Sequence, residues 1–107
     1  MSKIGVIGDR DAILGFKALG LDVFAADDAE TAANTIHHCA KNNYAVIFIT
    51  ENFAKMTEEA RSRYDGQAVP AIIIIPDSGG TDGYAMKRVK HFVEKAIGTD
   101  IIFGERG

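Results

Sequence analysis

YAVIFIT, the stretch from Tyr44 to Thr50, decides the fold of this chain. Five apolar residues follow one another from Ala45 to Ile49, and no amphipathic helix face produces such a run. A strand that is covered by helices on both faces loses the alternation of a half-solvated strand and becomes continuously apolar. The shortness of the run and its Val, Ile and Phe content favour a strand over a buried helix segment. We therefore predict that YAVIFIT is the central strand of a parallel sheet.

The remaining chain alternates between apolar strand-like segments and amphipathic helical segments. We predict three more strands, at residues 3–8 (KIGVIG), 21–25 (LDVFA) and 69–75 (VPAIIII). Four strands separated by helices require right-handed crossovers and a parallel sheet. Placing the first and third strands, the most apolar pair apart from the fourth, at the centre gives the order 2-1-3-4. Pro70, which has no amide hydrogen, indicates an edge position or a strand start for the fourth strand. The predicted fold class is therefore α/β, a four-stranded parallel sheet with helices on both faces, similar to a truncated flavodoxin-like or Rossmann-like fold.

Helix-capping residues and apolar spacing predict the positions of the helices. The first is expected to run from Ala12 to Gly20 with Asp11 as its N-cap, and its apolar residues include Ile13, Leu14, Phe16 and Leu19. Asp27 and Asp28 begin the second helix, whose stripe is Ala29, Ala32, Ala33, Ile36 and Cys39 or Ala40. The third helix carries Phe53, Met56, Ala60 and Tyr64 on one face, with Lys55, Glu58, Glu59 and Arg61 in solvent. The last helix spans residues 84–97 and ends before Gly98.

Length and composition limit the chain to one small globular domain. Its 107 residues, 47% hydrophobic and 25% charged, predict a single α/β domain over residues 1–98 and a tail over residues 99–107. The single cysteine, Cys39, and the lack of a leader pattern before the first strand favour a reducing, cytoplasmic setting. The longest apolar stretch is far shorter than the ~20 residues of a membrane span, so we expect no direct membrane insertion. A net charge of −3 argues against a nucleic-acid partner, and we interpret the basic cluster at residues 87–91 as a solvated helix face.

The carboxyl edge of the predicted sheet is the first place to look for chemistry, because α/β folds bind ligands there. The polar residues expected near it are Asp9, Asp11, Thr50, Glu51, Asp77 and Asp82. A receiver-like signalling module would need an aspartate phosphoacceptor where Thr50 stands. Helix capping by Asp9, Asp11 and Glu51 is the favoured interpretation, and the receiver-like module remains as an alternative.

Cofactor and metal sites have weaker signals. Gly5 and Gly8 form a G-x-x-G that permits a second alternative, a small nucleotide-binding module, but the G-x-G-x-x-G fingerprint is absent. His37, His38 and Cys39 are consecutive, so on a helix their side chains diverge by about 100° each and cannot meet at one metal ion. The spacing of the residues indicates no catalytic arrangement either. We therefore predict no cofactor, no metal and no catalytic residue.

Four segments along nearly the whole chain carry a family resemblance: Gly8 to Asp11 with Gly15 to Lys17, Tyr44 to Glu51, Pro70 to Pro76, and Val93 to Gly98. In order and separation they resemble the F-subunit family of the V-type and A-type rotary ATPases. The resemblance implies a non-catalytic component of the rotating central stalk, which binds the coiled-coil shaft of the rotary ATPase (the D-subunit), called the shaft subunit below. Other expected partners are the central-stalk subunits and those that link the stalk to the membrane ring. It further implies a cytoplasmic location, peripheral to the membrane, in a complex that couples ATP turnover to proton or sodium transport.

The position of Phe92 predicts where the partner binds. Phe92 lies to one flank of the apolar stripe of the last helix, where the core does not require a large aromatic side chain. Ile101, Ile102 and Phe103 add apolar residues after Gly98, and clustered exposed apolar groups mark interfaces. The open alternative is that the tail folds back on its own sheet. In that case the loops around Asp9 and Glu51 are the next candidates for the contact surface.

Overall fold

The computed structural model of the protein describes residues 3–17, 19–77 and 84–96. The predicted tail, with Ile101, Ile102 and Phe103, lies outside the described residues, as does Asp82. The elements in chain order are β1 (Lys3–Gly8), α1 (Arg10–Lys17), β2 (Asp22–Ala25), α2 (Ala29–Lys41), β3 (Tyr44–Thr50), α3 (Glu51–Met56), α4 (Glu58–Ser62), β4 (Ala71–Ile75) and α5 (Tyr84–Ala96).

The four strands form one parallel sheet in the order β2-β1-β3-β4, which confirms the predicted fold class. All seven residues of β3 are buried, as a central strand with covered faces requires. Ile49 of β3 is in register with Ile7 of β1 on one side and with Ile74 of β4 on the other. The continuous apolar run in the sequence therefore corresponds to β3, which, like β1, has a neighbouring strand on both sides.

Helices cover the two faces of the sheet and create two separate hydrophobic clusters. On one face, α1 and α5 pack over side chains that include Val6, Val46 and Phe48. On the other face, α2, α3 and α4 pack over side chains that include Ile7, Ile47 and Ile49. From Val46 to Ile49, successive β3 residues alternate between the clusters because strand side chains point to opposite faces in turn.

The first helix differs from the prediction at its start and in one apolar side chain. It begins at Arg10, because the Ile13 amide donates to the Asp9 carbonyl at 3.2 Å, and Asp9 rather than Asp11 therefore precedes the first turn. Leu14 is not a core residue, since 67% of its surface is exposed. Gly15 faces α5, where an added Cβ would lie 2.5 Å from Cε of Met86. Because Cε is the end of a flexible side chain, Met86 could move aside for a larger residue at this position.

The second helix agrees closely with its sequence pattern. A carboxylate oxygen of Asp28 accepts a hydrogen bond from the Thr31 amide at 2.7 Å, and this bond lowers the pKa of Asp28. Ala32, Ile36 and Cys39 are fully buried at spacings of four and three residues. Burial raises the pKa of the Cys39 thiol to about 12, so this side chain behaves as a small apolar residue at neutral pH.

The predicted third helix is in fact two short helices, α3 and α4, separated at Thr57. The Thr57 hydroxyl donates to the Phe53 carbonyl at 2.7 Å, and φ −121° and ψ 28° place its backbone outside the helical region. Met56, predicted on the buried stripe, is 55% exposed, and the residues buried here are Phe53, Ala54 and Thr57. Arg61, predicted in solvent, instead donates from Nε and Nη2 to the Ala54 carbonyl, at 3.0 and 2.7 Å. The same carbonyl also accepts a hydrogen bond from the Thr57 amide at 3.3 Å, so the Arg61 guanidinium adds to the bonds that end α3.

The fourth strand is shorter than predicted, since it begins at Ala71 rather than Val69. Val69 is 58% exposed, and Pro70 lies just before the strand. The edge position inferred from Pro70 is confirmed.

Candidate functional site

Two acidic residues proposed as contact residues, Asp9 and Glu51, follow neighbouring strands at the carboxyl edge of the sheet. Asp9 follows β1 directly and is half-buried, and Glu51 is the exposed first residue of α3, directly after β3. Because β1 and β3 are in register up to Ile7 and Ile49, the two acids leave the sheet side by side. Asp9 already has an interaction within the protein.

Other polar groups at this edge are used to build the first turn of α3. A carboxylate oxygen of Asp77 accepts a hydrogen bond from the Asn52 amide at 3.0 Å. The Thr50 hydroxyl donates to the Asn52 side-chain oxygen at 2.7 Å, and only 2% of Thr50 is exposed. The residue at the phosphoacceptor position of a receiver-like module is therefore a buried hydroxyl that already donates a hydrogen bond. This geometry gives the receiver-like alternative no support.

The two glycines that allowed a nucleotide-binding alternative have packing roles. Gly5 lies between aromatic rings, where an added Cβ would lie 3.3 Å from both Phe24 and Tyr44. At Gly8 an added Cβ would lie 2.9 Å from the Thr50 methyl group and 3.1 Å from Ile13. Side chains pack closely against both glycines, most tightly at Gly8, and no phosphate-binding loop is required to explain them.

The adjacent histidines point to different neighbours, as predicted for consecutive helical residues. Nδ1 of His37 is 2.6 Å from the Tyr64 hydroxyl, which joins α2 to the segment after α4. The ring of His38 makes an edge-on contact with Phe24, with centroids 6.1 Å apart. Over residues 3–17, 19–77 and 84–96, no group of three or more His, Cys, Asp or Glu side chains is placed to hold a metal ion.

Phe92, the main residue in the predicted contact surface, lies on α5 and is half-buried. Its ring packs against Phe48 of β3 in a T-shaped contact, with centroids 5.4 Å apart and an interplanar angle of 85°. One part of the ring therefore adds to the cluster under α1 and α5, in addition to the stripe that includes Val89 and Val93. The prediction that Phe92 lies on the flank of the helix agrees with its partial exposure, but the ring is not free of the core.

The outer part of Phe92 lies in a shallow surface groove on α5. The groove has a volume of about 420 Å³ and is lined by Lys87, Arg88, His91, Phe92 and Lys95. We call this feature the basic groove. The sequence analysis assigned the cluster at residues 87–91 to a solvated face and did not predict that Lys87, Arg88 and His91 line a groove with Phe92. The spacing of four residues between Lys87, His91 and Lys95 was the available signal.

The predicted contact residues therefore fall in two places. Asp9 and Glu51 lie at the carboxyl edge of the sheet. Phe92 lies eight residues beyond the first residue of α5, about 12 Å along the helix axis at 1.5 Å per residue. Ile101, Ile102 and Phe103 are outside the described residues. Of the two places, the helix offers an aromatic side chain and a groove, whereas the described polar groups at the edge mainly complete helix starts.

Comparisons with known proteins match nearly the whole of this architecture. The sequence profile of the family described as "ATP synthase (F/14-kDa) subunit" matches residues 4–93, from β1 into α5. The F-subunit of the V-type ATP synthase of Clostridium perfringens is 49% identical over 100 residues, which cover 94% of this chain and 95% of the relative. The corresponding protein of Clostridium botulinum is 48% identical over 100 residues, which cover 94% of this chain and 97% of the relative.

A solved structure supports the fold independently. The crystal structure of the F-subunit of the V-type ATP synthase from Archaeoglobus fulgidus superimposes with a TM-score of 0.61 at 19% sequence identity. The superposition covers 69% of this chain and 96% of the archaeal chain.

Proposed function

The chain belongs to the family of ATP synthase (F/14-kDa) subunits, and we propose that it is a non-catalytic component of the central stalk of a V-type or A-type rotary ATPase. The observation that carries this proposal is the extent of the match, which runs from β1 into α5 without a missing element. Its role is to bind the shaft subunit and help to couple ATP turnover to proton or sodium transport. The shaft subunit and the coupling role come from the family resemblance.

Several features of the site favour a connecting role over a catalytic one. The carboxyl edge of an α/β sheet is the usual ligand site, yet here Thr50, Asn52 and Asp77 bond to one another around the start of α3. Gly5 and Gly8 are explained by side-chain packing. These contacts support a compact module that acts through its outer surface.

A peripheral position on the cytoplasmic side of the membrane is part of the proposal, and the family resemblance is its basis. Within the described ranges, no helix is both long enough and apolar enough to cross a bilayer.

The proposed contact with the shaft subunit is the exposed side of α5, centred on Phe92. A half-buried aromatic residue whose inner edge packs on Phe48 is held in one orientation, so little side-chain entropy is lost when a partner covers it. Buried aromatic residues carry much of the binding energy in protein interfaces. This combination favours α5 over the carboxyl edge as the first surface to test.

The experiment is capture of the purified shaft subunit, taken from the same organism, by the immobilised chain. We expect Phe92→Ala to weaken capture by about tenfold or more, which is the loss of a moderate hot-spot residue. Loss of the T-shaped contact with Phe48 should also lower the stability of the isolated chain by about 1 kcal/mol. Circular dichroism must therefore show that the variant is folded under the conditions of the assay. Phe92→Leu, which keeps apolar packing, is a second variant that should remain folded and bind with intermediate strength.

Met56→Ala is the matched control, because Met56 is an exposed apolar residue on the opposite face of the sheet. Capture of the shaft subunit by this variant should equal that of the unmodified chain. If Phe92→Ala is folded and captures the shaft subunit undiminished, the contact surface lies elsewhere. If the unmodified chain captures no shaft subunit, the proposed function itself is contradicted.

A further inference from the structure

The basic groove concentrates positive charge in a chain whose overall charge is negative. Helix α5 carries four Lys or Arg residues and one Glu, a formal charge of +3, whereas the complete chain carries −3. The formal charge of the helix that carries the groove is therefore opposite in sign to the net charge of the chain. Lys87, Arg88, His91 and Lys95, which line it around Phe92, are all exposed.

Three of the side chains that line the groove have no bonding partner among the described residues. No side-chain hydrogen bond or ion pair joins Lys87, His91 or Lys95 to another residue of the described part of the chain. Arg88 has an interaction within the protein and is not counted with them. Lys87 and Lys95 carry like charges on one side of α5, so they contribute no ion pair to the stability of the described part of the chain.

The row also has a regular geometry. Lys87, His91 and Lys95 are four residues apart on α5, so successive Cα atoms rise about 6 Å along one side of the helix. Carboxylates placed every fourth residue on a second helix have the same repeat. Phe92 lies in the groove between them and offers an apolar contact for a side chain beside those carboxylates.

We propose that the basic groove binds an acidic amphipathic helix of a partner protein, with carboxylates along the Lys87, His91 and Lys95 row and an apolar residue on Phe92. The inference rests on the proposed function only in taking the partner to be a protein. Charge complementarity selects the acidic chemistry of that helix. A nucleic acid or an anionic membrane is disfavoured because a long polyanion or a charged surface would also meet the negative charge of the rest of the chain.

The test uses the complete chain and a fluorescein-labelled helical peptide of about 18 residues, with Glu at every fourth position and Leu beside the Glu row. Binding is followed by fluorescence anisotropy at about 20 mM and about 200 mM salt. We expect binding to weaken about tenfold over this range, because salt screens exposed charges. A peptide with Lys in place of Glu should bind at least about tenfold more weakly than the acidic one.

Two double variants separate the local charge from the total charge. The variant Lys87→Gln with Lys95→Gln removes two positive charges from the groove and should weaken peptide binding about tenfold. The variant Lys41→Gln with Lys55→Gln removes two exposed positive charges from α2 and α3, on the opposite face of the sheet, and should leave binding within about twofold. Both variants change the net charge by the same amount.

Equal weakening in the two double variants, or equal binding of the acidic and basic peptides, would overturn the proposal. Tighter binding of a single-stranded oligonucleotide or of phosphatidylserine vesicles than of the acidic peptide would overturn it in favour of another anion. Capture of the shaft subunit separates this result from the proposed function. One outcome is that the shaft subunit is captured while the acidic peptide does not bind, or while the groove substitutions leave peptide binding unchanged. In that case the proposed function stands and the inference fails. If the peptide binds as expected but the shaft subunit is not captured, the inference stands without the proposed function.

Discussion

Ile49 and Ile74 provide a matched pair of substitutions that tests the layered core. The two residues have the same side chain and are in register on adjacent strands, yet none of Ile49 and 44% of Ile74 is exposed. In Ile49→Ala the lost groups leave a cavity between β3 and the helices over the second cluster. The expected loss is about 3 kcal/mol, within the ~2–5 kcal/mol found when large aliphatic residues are truncated in cores. In Ile74→Ala only about half of the side chain leaves a buried environment and no closed cavity forms. The expected loss is therefore about 1 kcal/mol.

Urea unfolding followed by far-UV circular dichroism measures both values, provided that the slope with denaturant is the same in the three proteins. The two variants should differ by about 2 kcal/mol in the free energy of unfolding, which is large compared with the error of comparing urea midpoints. Equal losses for the two variants would refute the assignment of β3 to the centre and β4 to the edge. A larger loss for Ile74→Ala would show that the edge side of β4 is covered in the isolated chain.

The remaining predictions concern Gly8 and Cys39. Gly8→Ala should lower the free energy of unfolding by about 1–3 kcal/mol, because the new Cβ would meet the Thr50 methyl group at 2.9 Å. Adding Thr50→Ser, which removes that methyl group, should recover part of the stability that Gly8→Ala loses in thermal unfolding. If the double variant instead loses the sum of the two single losses, the close contact is contradicted. For Cys39, whose pKa rises from 9.0 to about 12 on burial, the stabilising effect is complete below about pH 9 and is lost as the pH rises towards 12. The melting temperature should therefore fall more steeply from about pH 9 to about pH 11 in the unmodified chain than in Cys39→Ala, and parallel curves would contradict the burial of the thiol.

The fold could be predicted where a residue pattern has one dominant physical cause. The run from Ala45 to Ile49 has no polar position, so only a strand with both faces covered satisfies it. Pro70 lacks an amide hydrogen and thus favours an edge, and Asp28 is a strong capping residue before an amphipathic stretch. In each case the local preference and the packing of the whole fold agree.

The prediction failed where local hydrogen bonds compete with periodicity. The bond from the Thr57 hydroxyl to the Phe53 carbonyl accompanies a break in an otherwise continuous helical pattern. Arg61 is of a residue type usually found in solvent, but its guanidinium donates to the Ala54 carbonyl at the end of α3. Such side-chain bonds depend on geometry that spacing alone does not contain.

The candidate site was predicted only in part. The flank position of Phe92 follows from helical periodicity, but its contact with Phe48 needs the register of β3 against α5. The basic groove likewise appears only when the side chains of α5 are placed around the aromatic ring. Asp9 and Glu51 were correctly expected to follow adjacent strands. Their use in partner binding remains a prediction.

The central claim, that this chain is a rotor component that binds the shaft subunit, is tested most directly by the mass of the particle that the two proteins form. Light scattering during size-exclusion chromatography of the unmodified chain with the shaft subunit of the same organism provides that mass. The proposed function predicts one stable species that exceeds the mass of the shaft subunit by 11.5 kDa, the mass of one copy of this chain. Two separate species at micromolar concentration, each with the mass that it has alone, would contradict it.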